Sequence, residues 1–459
     1  MAERKSRLFK IKKFELTTIT DETFDIRDIV ADFEYHESID AAFIRCDFNI
    51  VDAVDFNKTL QGGETININI ETASSDERPL KAELKVYKIG SIIKSERGQL
   101  YRLHTVSPEM YNNEIYKVFQ AFGPGEGAKD EENVPKFICK KYLKAPRKKL
   151  KDENFENHSK ITFISPSWRP VEAITYMSDK VTRINKSKGS AKQSGFLFYE
   201  NRYGFQFKSI DMMCEGGGAP EAPIFEYSYQ QQGSDPGNNG MFVIESVQYP
   251  DKGNHLQHMR MGTYKNISQG ISLPSPTNNF ATNSGKSGKN SPAGVIRGPR
   301  VITYKQIFEK ASTIHKKLPF EEPVDMQGEN VPPTRQKIRV LPGLKNQNNS
   351  QEDVPGQANQ DGGSTPDIDT MAAAEYAAGR FSLLKAIQLT IVVPGNSALT
   401  AGQLLDVVIP ASEQKGKRVI EDKRYSGRYL VAGVTHVFKR EGLTSKVYLV
   451  RDSLKRYSY

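Results

Sequence analysis

The sequence predicts an α+β protein, mainly β, in which two related antiparallel β units flank an α/β block and long loop-rich insertions. Three observations predict it. Strict apolar/polar alternation occurs near both ends of the 459-residue chain, the mark of half-buried strands. Both ends also share one order of parts: a strand, a long polar loop, a strand, a basic–acidic–Gly hairpin and a last strand. Between them the apolar spacing changes to that of helices and single hairpins.

At the N-terminal end, Leu60 and Gly62-Gly63 lead into the alternating stretch Thr65 to Glu71. Leu84 to Gly90, Ile92 to Gly98 and Tyr101 to His104 follow. At the C-terminal end, Leu399 and Gly402 lead into Leu404 to Ile409, followed by Tyr429 to Gly433, Val437 to Gly442 and Val447 to Arg451. Like units at opposite ends point to a duplicated module with other material between the copies. Phe24 to Ile29 and Ala42 to Val51 add strands to the first unit, residues 1–107.

Residues 108–235 read as an α/β block. Glu109 to Phe119 has helical spacing and is ended by Gly123-Pro124-Gly125. Val134 to Cys139 reads as a helix, with Asp130 to Glu132 before it and lysines toward its end, as the helix dipole favours. Lys160 to Ile164 is a short strand and Ser165 to Pro170 a turn. Val171, Ile174, Met177 and Val181 then fall on one helical face. Gly195 to Glu200 and Tyr203 to Lys208 form a hairpin.

Residues 236–375 read as a loop-rich insertion that lends strands to the second unit, residues 376–459. Met241 to Tyr249 is its strand and His255 to Met259 one helical turn. Ser268 to Pro299 and Glu321 to Pro366 have loop composition. Val301 to Phe308 is an apolar anchor expected to dock on a β unit. Asp367 to Leu384 is an Asp-capped, Ala-rich helix.

Composition excludes several classes. There is no run of eighteen apolar residues, so no transmembrane helix and no membrane partner is expected. The charged start, Met1 to Arg7, is unlike a secretory signal. Cys46, Cys139 and Cys214 are odd in number and far apart, which argues against a disulfide framework or a cysteine zinc site. A reducing cytoplasm is the expected folding compartment. Net charge is +9, and Lys136, Lys140, Lys141, Lys144, Arg147, Lys148, Lys149 and Lys151 supply eight of it with no acid between. Phe137 and Tyr142 interleave this patch, as in a surface that meets nucleic-acid phosphates. Pro146 and the excess of lysine over arginine fit a solvated or protein-contacting face better.

No catalytic, cofactor-binding or metal residue is expected, and the chain is not read as an enzyme. His255 and His258 stand at i, i+3, but no carboxylate or cysteine completes a ligand set. Gly216 to Gly218 and Gly123 to Gly127 lack the patterns of phosphate loops. His436 alternates with Leu430, Ala432, Val434 and Phe438, which places it on an apolar strand face. No nucleophile elbow occurs, and no carboxylate pair stands out.

Phe163 to Ile174, Gly195 to Glu200 and Gly204 to Lys208 together resemble baseplate hub proteins of contractile-tailed bacteriophages. Ile391 to Asn396, Leu399 to Gly402, Tyr429 to Val431, His436 to Phe438 and Thr444 to Arg451 are similar to the same family. The resemblance spans the first 235 residues and the last 85. Its hub fold is shared with the N-terminal regions of type VI secretion spike proteins, which often continue into a β-helical spike; this sequence, ending at Tyr459, is expected to carry none.

The resemblance implies two tube-like antiparallel β-barrel domains per chain, lying side by side. A homotrimer would then form a pseudo-sixfold ring that adapts a sixfold tail tube to a threefold central spike. It further implies a virion location in the tail baseplate, assembly in the host cytoplasm, and contact with baseplate wedge or peripheral hub proteins. DNA would at most pass through the lumen. The alternatives are a hub-associated cell-wall hydrolase and a nucleic-acid-binding tail protein.

Overall fold

The computed structural model describes residues 8–72, 79–95, 98–123, 133–184, 193–229, 242–250, 255–272, 295–320, 333–341, 370–411 and 421–455. The mainly β class holds. The first unit contains β1 (Phe9–Thr17), β2 (Thr23–Asp25), β3 (Val30–Ser38), β4 (Arg45–Asp52), β5 (Thr65–Thr72), β6 (Leu80–Ile89), β7 (Ile93–Ser95) and β8 (Gly98–Val106). They run in the order β3-β4-β8-β6-β5-β1-β2, with β7 beside β8. Alternation turns Ile66, Ile68 and Ile70 inward to meet Phe14, Leu16, Phe33 and Phe48 in one apolar core.

The sheet curls around that core. The Phe14 ring lies 5.4 Å from Phe33 and 5.5 Å from Phe48. The stretch 26–29 spans the gap between the first strand and the fourth: Ile26 N donates to Phe14 O, and Val51 N donates to Ile29 O.

The middle block contains α1 (Glu109–Ile115), β9 (Val118–Phe122), α2 (Val134–Lys141), β10 (Phe163–Trp168), α3 (Pro170–Met177), β11 (Phe196–Asn201) and β12 (Gly204–Ser209). The hairpin β11–β12 and the helices α2 and α3 stand where the sequence puts them. The helix expected over 109–119 stops at Ile115. Val118 and Phe122 are buried on one face of a strand that pairs with β10, so period-2 burial wins over helical spacing there. That pairing also carries β10 through the expected turn at Ser165 to Trp168. Pro166 is tolerated because β10 is an edge strand.

Beyond the block lie β13 (Phe225–Tyr229), β14 (Val243–Ile244) and β15 (Ser246–Gln248). A lateral arm follows, with α4 (His255–Met261), β16 (Lys265–Ser272), β17 (Val295–Thr303), α5 (Tyr304–Lys310), β18 (Arg335–Leu341) and α6 (Thr370–Leu384). β16 lies between β17 and β18. Strands therefore occupy both ends of the first expected loop and part of the second. The Asp cap expected at 367 lies outside the described residues. The anchor at 301–308 docks on α6 rather than on a β unit: Tyr304 and Ile307 pack with Tyr264, Tyr376 and Leu383. A side chain at Gly379 would overlap Ile307.

The second unit is completed by β19 (Ile387–Pro394), β20 (Leu404–Val408), β21 (Gly427–Lys439) and β22 (Gly442–Arg451). The strand expected over 429–433 runs on without a break to Lys439, and Arg440 and Glu441 make the turn of the expected hairpin. β13 lies in the stretch read as middle block, yet it pairs in parallel with β20. β14 pairs with β13, and β15, one residue later, pairs with β19. At Gly433 to Lys439 the other edge of β21 takes up β3. The two end units thus share one 15-stranded sheet, and no barrel closes among the described residues.

Candidate assembly sites

The turn between β11 and β12 is where all three regions meet. Glu200 accepts from Ser107 Oγ at 2.5 Å and Ile44 N at 3.1 Å, both at the foot of the first unit. Asn201 Nδ2 donates to Ala401 O of the second unit at 3.1 Å. Arg202 N donates to Glu37 at 2.8 Å, and its guanidinium reaches Ser397 O.

Glu37, on β3, is buried and also accepts from Tyr35 OH at 2.8 Å, Thr400 Oγ1 at 2.6 Å and Ala401 N at 3.0 Å. Burial pushes its carboxyl above the ordinary range, against the pull of those hydrogen bonds. One carboxylate so ties β3, the middle block and the second unit together. Sequence alone gave no signal for it, because its donors besides Tyr35 come from two distant stretches.

A second buried cluster fixes α6. Arg380 Nε donates to Asp211 Oδ1 at 3.1 Å, and its Nη1 lies 2.7 Å from Asp452 Oδ2. Arg380 Nη2 donates to Ser312 O at 2.8 Å, and Tyr376 OH to Asp211 at 3.0 Å. All three charged side chains are fully buried. Burial works against the guanidinium charge, but Asp211 and Asp452 outweigh it and hold the group well above its ordinary value.

The basic run of 136–151 is partly taken up by local contacts. Lys149 is wedged 2.8 Å from Glu109 and 2.7 Å from Glu200. Lys136 pairs with Asp152, and Lys151 with Glu221. Lys141 sits over the rings of Phe137 and Tyr142, and Lys144 over Tyr116. Lys140, Lys141, Lys144, Arg147 and Lys148 are exposed. Within the patch Lys149 alone is drawn into the junction of the regions.

The histidines are packed. His436 is buried, with Nδ1 2.8 Å from Ser445 Oγ and Nε2 3.2 Å from Leu399 O. Burial lowers its pKa to about 4. His255 and His258 both pack on the Tyr264 ring, and His255 Nδ1 is 2.5 Å from Tyr264 Oη. Glu34, His36 and Asp47 do gather on the outer face of β3 and β4. Arg102 Nη2 lies 3.1 Å from both carboxylates, so an arginine already provides the cation there. Gly216 to Gly218 is a packing feature: a side chain at Gly218 would overlap the Gly402 carbonyl of the second unit.

Strand order brings out the arrangement that composition hides. β15-β19-β22-β21-β3-β4-β8-β7 is an unbroken run of eight strands in which every neighbour is antiparallel. Its first four strands belong to the second unit and its last four to the first.

Solved structures similar to this chain are tail and secretion-system proteins. A tail protein from Neisseria meningitidis MC58 aligns over 96% of this chain and 97% of its own, with TM-score 0.48 and 13% identity. The 43 kDa tail protein of prophage MuSo2 from Shewanella oneidensis aligns over 96% and 99%, with TM-score 0.47 and 10% identity. An E. coli component of the type VI secretion system aligns over 98% and 79%, with TM-score 0.38 and 8% identity. No family model matches the chain, and no curated protein matches it.

Proposed function

We propose that this chain is a structural baseplate hub subunit of a contractile phage tail. Three copies form a pseudo-sixfold ring that joins the tail tube to the central spike, with wedge or peripheral hub proteins at its rim. Each end unit supplies one tube-like wall segment, and the virion baseplate is where it acts. Residues 1–107 and 376–459 are the tube-like units, 108–235 the middle domain, and 236–375 the insertion whose strands complete the second unit. The eight-strand run carries this reading. A chain that holds two like four-stranded segments edge to edge gives six segments in three copies, which is what a threefold-to-sixfold adaptor needs.

The work is mechanical, and no side chain is assigned to catalysis. The charged groups named above make internal pairs that fix the units relative to one another. Mass photometry and class averages of the full chain, alone and with tube and spike proteins, test the reading. Threefold or pseudo-sixfold rings are expected; a monomer under every condition overturns it. Zymography on peptidoglycan tests the hydrolase alternative, and a lysis zone from pure protein would displace the purely structural role.

A further inference from the structure

The eight-strand run has two open ends. Among the described residues β7 pairs only with β8, and β15 only with β19. The two halves of the run correspond strand for strand: β15, β19, β22 and β21 stand as β3, β4, β8 and β7 do. Both halves end in a tight hairpin, with Lys439 opposite Gly442 in one and Ser95 opposite Gly98 in the other. In the middle of the run β21 bonds to β3. We propose that the same bond recurs between copies, β7 of one chain pairing antiparallel with β15 of the next. This rests on the ring reading above and names the seam that closes it.

The register follows from the pairings. Val447 lies five residues after Gly442, and Leu103 five after Gly98, so the two correspond. Val447 pairs with Ile391, which lies beside Val247. Leu103 pairs with Phe48, which lies beside Phe33. Phe33 is therefore the counterpart of Val247. By the same hairpin count Lys94 is the counterpart of Phe438. Phe438 pairs with Phe33 inside the chain, so Lys94 of one copy faces Val247 of the next. Ile93 then faces Gln248, and Ser95 faces Ser246.

Exposure supports the same edge independently. At the internal seam Val437, the counterpart of Ile93, is half-buried beside β3. At the open end Val51, Leu100 and Ile93 form one cross-strand row and are 51%, 46% and 62% exposed, with Ile92 at 43%. An apolar row beside an unpaired edge invites strand addition, and folded proteins cover or blunt such edges. A second copy covers it here, and because the two edges differ the contact is head-to-tail, which closes as a ring.

The test is a thiol pair in the full chain, since the native Cys46, Cys139 and Cys214 are buried. Lys94→Cys with Val247→Cys places two thiols opposite one another at strand-pair spacing, within disulfide reach. Mild oxidation should give covalent dimers and trimers, and neither single variant should. Ile93→Asp, at a site already exposed, should leave the fold's melting unchanged and weaken self-association about tenfold or more. Rings that form without Lys94–Val247 cross-links overturn this seam while the hub reading stands. Failure of the wild-type chain to form rings with its partners overturns both.

Discussion

The two end units share a strand order but are braced in different ways. The first bridges its curl with four residues of its own, the 26–29 stretch between β1 and β4. The second borrows β13, β14 and β15 from upstream of the arm and is further held by α6, whose Arg380 is anchored to Asp211 and Asp452. The four-strand order is therefore common to both units, while the chain that braces it differs. The first unit depends on aromatic packing, the second on a buried charge cluster and long-range strands.

That contrast can be broken at its strongest point. Arg380→Met leaves Asp211 and Asp452 buried and uncompensated, and should cost about 3–5 kcal/mol. Denaturant unfolding followed by hydrogen exchange should show the loss concentrated in α6 and β22; an equal loss in β5 and β6 would refute a separate hold on the second unit. Phe438→Ala removes a ring stacked 4.3 Å from Phe33 and 5.2 Å from Phe9, across the seam. A cost of about 3 kcal/mol is expected, here loosening β1 and β3 first, as exchange rates would report.

Acid tests the second unit through His436. Its folded pKa of about 4 lies below the ordinary value of 6.5, so the unfolded chain binds the extra proton. Stability is full above the unfolded pKa and falls as pH drops from 6.5 toward 4, by up to about 3 kcal/mol. Burial lowers His315 to about 4 as well, so His436→Gln should reduce that slope without abolishing it, and an unchanged slope would assign it to other groups.

Glu37→Gln comes next. It replaces an acceptor of four hydrogen bonds with a side chain that must turn an amide toward donors, for about 1–3 kcal/mol. Two calorimetric transitions in place of one are expected as the units uncouple. Lys148→Gln, on an exposed site, should change stability by no more than about 0.5 kcal/mol. It should also leave DNA affinity unmoved; a salt-dependent loss would restore a nucleic-acid role to the basic run.

Alternation made the strands β5 and β22 legible, because one face of each is more buried than the other, while the β11–β12 hairpin, buried on both faces, was legible from its aromatic runs and polar turn. β3 escaped the sequence reading. Its outward positions, Asp32, Glu34 and His36, are all charged or polar, and its value lies in pairing with β21 some four hundred residues later, which no local window contains. β9 was misread because Val118 and Phe122 fit helical spacing as well as a strand with two inward ends. The basic run departs from its solvated reading at one residue: Lys149 looks like surface until Glu109 and Glu200 fold around it. Neither junction carboxylate, Glu37 or Glu200, had a signal in sequence, since each is defined by donors from other regions.

The contact between Glu37 and Thr400 bridges 363 residues. At ribosomal speeds of roughly 5–20 residues per second, β3 waits about 20–80 seconds for β21 to be made. Through that interval its outer edge is available to other nascent chains, and native contacts of this span form slowly. The β3 edge is paired only once the last strands have emerged, so translation itself sets the moment at which this sheet can be completed.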